Sequence, residues 1–287
     1  MKTIAIVATG GTIAGTGKKG KTAAYHAGEI DIDSIIETIP EINEVAHIKE
    51  YQLMNIDSNE MTHEKWLILK NNIEEILSDD TIDGAVVTHG TDTLDETAYF
   101  LTLTLNTPKP VVLTGAMRPA TATSADGPFN LYQAICLACH GESYNRGVLA
   151  LFSNTIYSGR DIEKVNNFKI DAFDQRSLGC LGYMQDQEVY FYTQTSKIHT
   201  VKSRFNKRID SIKSVAIAFY YSGADAKILY DLANNHEGIV FDDEIFDPHH
   251  LCISSNTLSP QKARVLLMLA LTQTHDRDEI REIFLQY

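Results

Sequence analysis

The sequence predicts an α/β protein: a doubly wound, mostly parallel sheet followed by a second, smaller α/β domain. Three observations carry that prediction. Short continuous apolar runs at Ile4 to Ala8, Gly84 to Thr88, Val111 to Thr114 and Gly147 to Phe152 lack the alternation of a half-exposed strand, so they read as strands buried on both faces. Helical patterns separate these runs, as crossovers between parallel strands require. Beyond about Tyr192 the chain turns polar and basic (TQTSKIHTVKSRFNKR) before α/β alternation resumes. The expected organisation is therefore an N-terminal α/β domain over 1–191, a linker over 192–212 and a small domain over 213–287.

The first apolar run ends in the turn TGGTIAG, after which a loop carries Gly15, Gly17, Lys18, Lys19, Gly20 and Lys21. Asp31 to Ile39 has helical spacing, with Asp31 or Asp33 as N-cap and Pro40 as terminator, and Lys65 to Leu77 is an amphipathic helix. The strand at Gly84 to Thr88 leads through Gly90 into a helix with Asp92, Asp95 and Glu96 near its start, where acidic residues oppose the positive end of the helix dipole. The strand at Val111 to Thr114 precedes a helix from about Pro128 to His140. In the second domain the pattern gives a strand at Ser214 to Tyr221, a helix at Ala224 to Asn234, a strand at Gly238 to Phe241, and helices from Ser259 and from Asp276.

Composition narrows the function. The chain has 38 Asp and Glu against 25 Lys and Arg, a formal net charge of −13, and no basic patch, which disfavours nucleic acid and anionic membrane surfaces as partners. At 44% hydrophobic residues it can bury a real core, and no segment approaches the ~18 to 20 consecutive apolar residues of a membrane span. The N-terminal MKTIAIVATGG reaches glycine too soon for a secretory leader. Four cysteines, Cys136, Cys139, Cys180 and Cys252, fit reduced thiols rather than a disulfide framework. The expectation is a cytoplasmic protein acting on a small molecule, with a periplasmic one as the alternative if a leader has been removed.

Three motif matches fail on context. GTGKKGKT at Gly15 to Thr22 satisfies the phosphate-loop pattern, but no strand runs directly into it and no helix follows it. The same lack of an adjoining strand and helix weakens a dinucleotide reading of Gly15, Gly17 and Gly20, which leaves a lysine-rich surface loop. Cys136, Cys139 and His140 match a covalent haem pattern, yet they fall on a helix where small thiols serve as core. His249 and His250 lack a metal-binding helical spacing and the other histidines are scattered, so no metal is expected.

The informative feature is a pair of strand-to-helix turns that open at one edge of a parallel sheet. TGGT ends at Thr12, and HGTD supplies Thr91 and Asp92. Two hydroxyls, a carboxylate and several turn N–H groups converging on one crevice suit nucleophilic attack on a carbonyl, with backbone donors for the oxyanion. As helix caps the same residues would be merely structural.

The wording of these turns, ATGGTIAG at Ala8 to Gly15 and THGTDT at Thr88 to Thr93, resembles the two signatures of bacterial-type L-asparaginases. The resemblance runs in order through Tyr25 in AAYHAG, Ser58 in IDSNEM, TGAMRP at Thr114 to Pro119, SADGPFNLY at Ser124 to Tyr132, GRDIEKVN around Lys164 and TLSPQKARVLLMLALTQT at Thr257 to Thr274. It implies cofactor-free hydrolysis of the asparagine side-chain amide to aspartate and ammonia through an acyl-enzyme, with some glutamine hydrolysis.

Carried over residue by residue, the resemblance implies Thr12 as nucleophile with Tyr25 as its hydroxyl partner, and Thr91, Lys164 and Asp92 as a second relay. Gly11 and Ser58 would meet the substrate, Ser58 at its α-carboxylate, while Asp92 would pair with its α-ammonium. At position 59 the family usually carries Gln or Glu, and the shorter Asn59 departs from that. A second departure follows Gly238-Ile239-Val240, where FDDEIFD comes at once and a few dozen residues of the family pattern are absent. Glu244 aligns best with a glutamate that a neighbouring subunit offers in a dimer of dimers; the plainer alternative for Asp242, Asp243 and Glu244 is a solvated acidic turn. These departures motivate an alternative, a protein that binds the amino acid but turns it over weakly or not at all.

Overall fold

Apolar runs bracketed by glycine turns do form the buried strands of a sheet in the computed structural model, which describes residues 1–22, 25–175, 178–217 and 253–287. In chain order the elements are β1 (Lys2–Gly10), β2 (Thr16–Gly17), β3 (Tyr25–His26), α1 (Ile32–Ile36), α2 (Ile42–Val45), β4 (Ala46–Ile56), α3 (His63–Ser78), β5 (Gly84–Thr88) and α4 (Leu94–Thr104). They continue with β6 (Val111–Thr114), α5 (Gly127–Cys139), β7 (Val148–Phe152), β8 (Thr155–Ser158), β9 (Glu163–Lys164), β10 (Phe173–Asp174), β11 (Gly182–Gln185) and β12 (Glu188–Phe191). Beyond them lie α6 (Pro260–Ala270) and α7 (Arg277–Gln286).

Eight strands form one sheet in the order β12-β11-β8-β7-β6-β5-β1-β4. β4, β1, β5, β6 and β7 are parallel, while β8, β11 and β12 add antiparallel strands at one edge. Ile4, Ile6, Ala8, Val86 and Val112 share a core with Ile32, Ile42, Leu131 and Ile135 of α1, α2 and α5. The alternate strand positions Val7 and Val87 are also fully buried. Trp66 of α3 stacks on Phe100 of α4 with ring centroids 5.1 Å apart.

β4 carries no clear strand signal in the sequence. It is the sheet edge, its residues are mostly half-buried or exposed, and Lys49, Glu50 and Gln52 interrupt its apolar positions. The helix expected at Asp31 to Ile39 is only the short α1, with Asp31 at its N-cap.

The chain forms two compact units, Met1–Lys207 and Arg208–Tyr287. In the second, α6 starts at Ser259 and α7 at Asp276, whose side chains accept the amides of Lys262 and Glu279 as N-caps. Residues 214–217 of the expected strand lie outside regular structure, and the expected helix 224–234 and strand 238–241 lie outside the described residues, as do Glu244, His249, His250 and Cys252. Among the described residues no helix is long and apolar enough to cross a membrane.

The order of the parallel strands positions the site. From β1 the chain crosses to β4 on one side and then returns to β5 on the other, so the connections diverge at the carboxyl ends of β1 and β5, where doubly wound sheets hold their ligands. There the two turns touch through glycine. Gly11 has φ +83, and a Cβ built on it would lie 2.5 Å from both Cα and N of Gly90. Gly11→Ala is therefore expected to lower stability by at least about 1 to 3 kcal/mol, the scale of a strained backbone residue, and to reduce activity. The urea-denaturation midpoint checks it.

Candidate active site

Thr12 directly follows the glycine contact and opens the single helical turn Thr12–Ala14, which Gly15 closes by donating its N–H to the Thr12 carbonyl at 2.9 Å. It is buried, with 6% of its surface exposed. The preceding turn is tied on both sides: the Gly11 N–H donates to Ile56 O at 2.9 Å, and the Gly28 N–H to Gly11 O at 3.2 Å. Thr9 Oγ1 donates to Thr88 O at 2.8 Å, joining β1 to β5 just short of their ends.

On the β5 side Gly90 packs against Ser58, so that a Cβ on Gly90 would come 2.8 Å from Ser58 Oγ. Ser58 begins a turn capped by Asp57, is 4% exposed, and accepts the Asp92 N–H on its Oγ at 3.2 Å. Its carbonyl accepts the Thr93 hydroxyl at 2.9 Å. Gly11, Gly90 and Ser58 thus hold three loops together, one from each of the three neighbouring strand ends.

Thr91, 6% exposed, is not a helix cap. Its Oγ1 accepts Lys164 Nζ at 2.8 Å, and the same Nζ lies 2.5 Å from Asp92 Oδ1. The Lys164 side chain is 10% exposed and that of Asp92 52%, so the ammonium is enclosed while the carboxylate looks outward. The pairing of β9 with β10, which sets Lys164 opposite Phe173, and an N–H bond from Lys164 to Asp95 Oδ2 at 3.4 Å hold the lysine backbone in place. Sequence spacing puts Lys164 73 residues from Thr91; only the fold brings them into contact.

Asn59 is bonded within its own turn. Its backbone N–H and its Nδ2 both donate to Asp57 Oδ1 at 2.9 Å, which uses the side chain as part of the cap. Tyr25 lies on β3, paired with Gly17 of β2. The GTGKKGKT stretch forms β2 and an exposed turn rather than a phosphate-holding helix start. Cys136 and Cys139 are covered on α5, where burial pushes both thiols up to about 11.

In the sequence His89 is one of several scattered histidines, and the structure gives it a place beneath the site. It is fully buried, and its Nδ1 contacts Gly90 O at 2.7 Å. A carbonyl only accepts, so Nδ1 carries the hydrogen and Nε2 must accept, here from Thr97 Oγ1 at 3.0 Å. Thr97 Oγ1 in turn accepts Trp66 Nε1 at 2.8 Å. Desolvation drives the imidazole down to about 4, against the opposing bond to Gly90, so it is neutral near pH 7. Asp95 was likewise legible only as a dipole-stabilising acid. The usable signal for His89 was its position, the first residue beyond a wholly buried strand.

A doubly wound α/β protein with two threonine turns meeting at the strand-order reversal is the class that fold and site define. Residues 3–197 match the family model "Asparaginase, N-terminal" and residues 243–284 match "Glutaminase/Asparaginase C-terminal domain". The chain is 39% identical to a probable periplasmic L-asparaginase of Haemophilus influenzae, covering 98% of this chain and 92% of that protein. It is 35% identical to the glutaminase-asparaginase of Acinetobacter glutaminasificans, covering 99% of each. A crystal structure of a probable cytoplasmic L-asparaginase from Campylobacter jejuni superposes with a TM-score of 0.93 at 39% identity, covering 100% of both chains. The chain belongs to the asparaginase family.

His89 gives the site region a signed pH dependence. Its folded value is depressed below the ordinary 6.5, so its protons bind preferentially to the unfolded chain. The contribution is fully present above about pH 6.5 and is lost as pH falls toward about 4. Comparing urea midpoints at about pH 7 and about pH 5, the drop is expected to be smaller in His89→Gln than in wild type; an equal drop would remove His89 from the acid limb.

Proposed function

We propose that the protein hydrolyses the side-chain amide of L-asparagine to L-aspartate and ammonia through a threonine ester, with some glutamine hydrolysis. The observation that carries the reading is the Lys164 ammonium bridging the Thr91 hydroxyl and the Asp92 carboxylate beside Ser58. The names of the relatives support the substrate, and the glutaminase-asparaginases among them support the secondary one. The two amides differ by one methylene, which a small pocket discriminates by only ~1 to 3 kcal/mol.

In the first half-reaction Thr12 Oγ1 attacks the carboxamide carbon as its proton passes to the Tyr25 oxygen, which hands its own phenolic proton on to the amide nitrogen. The C–N bond breaks once the nitrogen has taken up a proton, and ammonia leaves. In the second half-reaction a water attacks the ester as its proton passes through the Thr91 hydroxyl, held in place by Lys164 and Asp92, to the Thr12 oxygen; the bond to Thr12 breaks, its hydroxyl re-forms and aspartate is released. Gly11 and Ser58 line the substrate, Ser58 meets the α-carboxylate, and Asp92 pairs with the α-ammonium. Asn59, tied to Asp57, leaves that pairing chiefly to Asp92 and to Glu244 of a neighbouring subunit in a dimer of dimers. The cysteines free among the described residues and the similarity to the Campylobacter protein support a cytoplasmic location. The enclosed lysine relay supports turnover over the alternative of binding alone.

Ammonia release from asparagine and glutamine over a concentration series tests the proposal. Thr12→Ala is expected to abolish release with an unchanged far-UV spectrum, and a variant as active as wild type would remove the nucleophile. Thr91→Ala is expected to slow turnover by more than ~100-fold, the scale of a positioned proton-transfer group; a loss of only a few-fold would leave Thr91 a structural role.

A further inference from the structure

We infer that Thr121, which no part of the proposed chemistry uses, is a positioning residue: its hydroxyl latches the hairpin that carries Tyr25 onto the loop after β6. This rests on the reading of Tyr25 given above. β2 and β3 are two residues each, paired Thr16 with His26 and Gly17 with Tyr25. A two-residue ladder followed by exposed Lys18, Lys19 and Lys21 buries too little surface to hold itself in position.

The base of the hairpin is tied within its own segment, with the Glu29 and Ile30 N–H groups donating to Ala14 O at 2.8 and 3.0 Å and the Thr16 hydroxyl bonded to Glu29, whereas the rung at Gly17 is tied from outside. Thr121 Oγ1 accepts the Gly17 N–H at 3.0 Å, Thr121 O accepts the Gly20 N–H at 3.0 Å, and the Ala120 N–H donates to Gly15 O at 3.1 Å. Three hydrogen bonds therefore join residues 15–20 to residues 120 and 121, and one comes from a side chain. That one falls on Gly17, the residue paired with Tyr25, so the Thr121 hydroxyl fixes the hairpin at the rung that bears the tyrosine.

The loop that offers the hydroxyl is itself anchored. Asp126 accepts the N–H groups of Met117 and Arg118, each at 2.9 Å, and Arg118 is bonded to Ser124. Asn130 Nδ2 donates to Gly115 O at 3.1 Å. At the start of α5, a Cβ on Gly127 would lie 2.7 Å from Ile13 Cγ1, so this platform also abuts the residue after Thr12. One hydrogen-bonded loop thus contacts the turn of Thr12 directly and holds the rung that carries Tyr25 through Thr121.

Steady-state asparagine hydrolysis by wild type, Thr121→Val, Thr121→Ser, Tyr25→Phe and Thr121→Val/Tyr25→Phe tests the latch, with amide exchange of Gly17 as a readout independent of activity. Thr121→Val, near in shape but without the hydroxyl, is expected to lower kcat/KM about threefold to tenfold, the range of one lost hydrogen bond, and to speed Gly17 exchange. Thr121→Ser is expected to restore both. In the Tyr25→Phe background Thr121→Val is expected to cost nothing further, because a positioning effect has no tyrosine hydroxyl left to act on. A silent Thr121→Val, or a loss that adds fully to that of Tyr25→Phe, overturns the latch while leaving Tyr25 in place. A Tyr25→Phe variant as fast as wild type overturns the Tyr25 reading itself, and the latch with it.

Discussion

The backbone contact between Gly11 and Gly90 is the constraint on which the rest of the site depends. Two strand ends of a parallel sheet are held about 4.8 Å apart by their hydrogen bonds, and turns bearing side chains would splay away from each other there. Removing Cβ from both positions lets the turns close, which puts Thr12 and Thr91 on adjoining residues of two different crossovers. Ser58 packs on Gly90 in the same way, so a third loop is registered against the first two. The main chain that carries both hydroxyls is thereby fixed, and Lys164 holds the Thr91 hydroxyl in addition.

Around that contact the polar groups are arranged by depth. His89 lies beneath, neutral and bonded on both ring nitrogens, where a charged imidazole would place a cation under the turn. Lys164 is enclosed at the level of Thr91, and Asp92 faces outward beside it. A cation held between a hydroxyl and a half-exposed carboxylate needs both partners, since a lone ammonium with so little contact with water would be costly. The short β9 and β10 ladder pairs Lys164 with Phe173 and Glu163 with Asp174, which fixes the lysine backbone at this point.

Much of the architecture was legible because burial on both faces writes itself into composition. From Ile4 onward β1, and all of β5, β6 and β7, are buried runs of apolar or small residues, and α6 and α7 announce themselves by Ser259 and Asp276. β4 was not legible, because an edge strand exposes one side and one rim to water and its Lys, Glu and Gln dilute the pattern. The antiparallel β8, β11 and β12 were missed for a related reason: their pairing is decided by which edge of the sheet is vacant, and no local residue records that.

The sequence by itself determined the kinds of groups available and the turns that carry them, since glycine pairs, hydroxyls and the carboxylate at strand ends are local chemistry. It therefore also determined the resemblance that names the reaction. Only the tertiary structure decided which groups meet. Lys164 joins Thr91 only through the resemblance until a strand pairing delivers it there, His89 reads as one imidazole among ten, and Asn59 reads as a shortened ligand until its bonds to Asp57 make it part of a cap. The reason is that hydrogen bonds and ion pairs act over a few ångströms. Lys164 and Thr91 lie 73 residues apart along the chain, and proximity is a property of the folded path rather than of the order of residues.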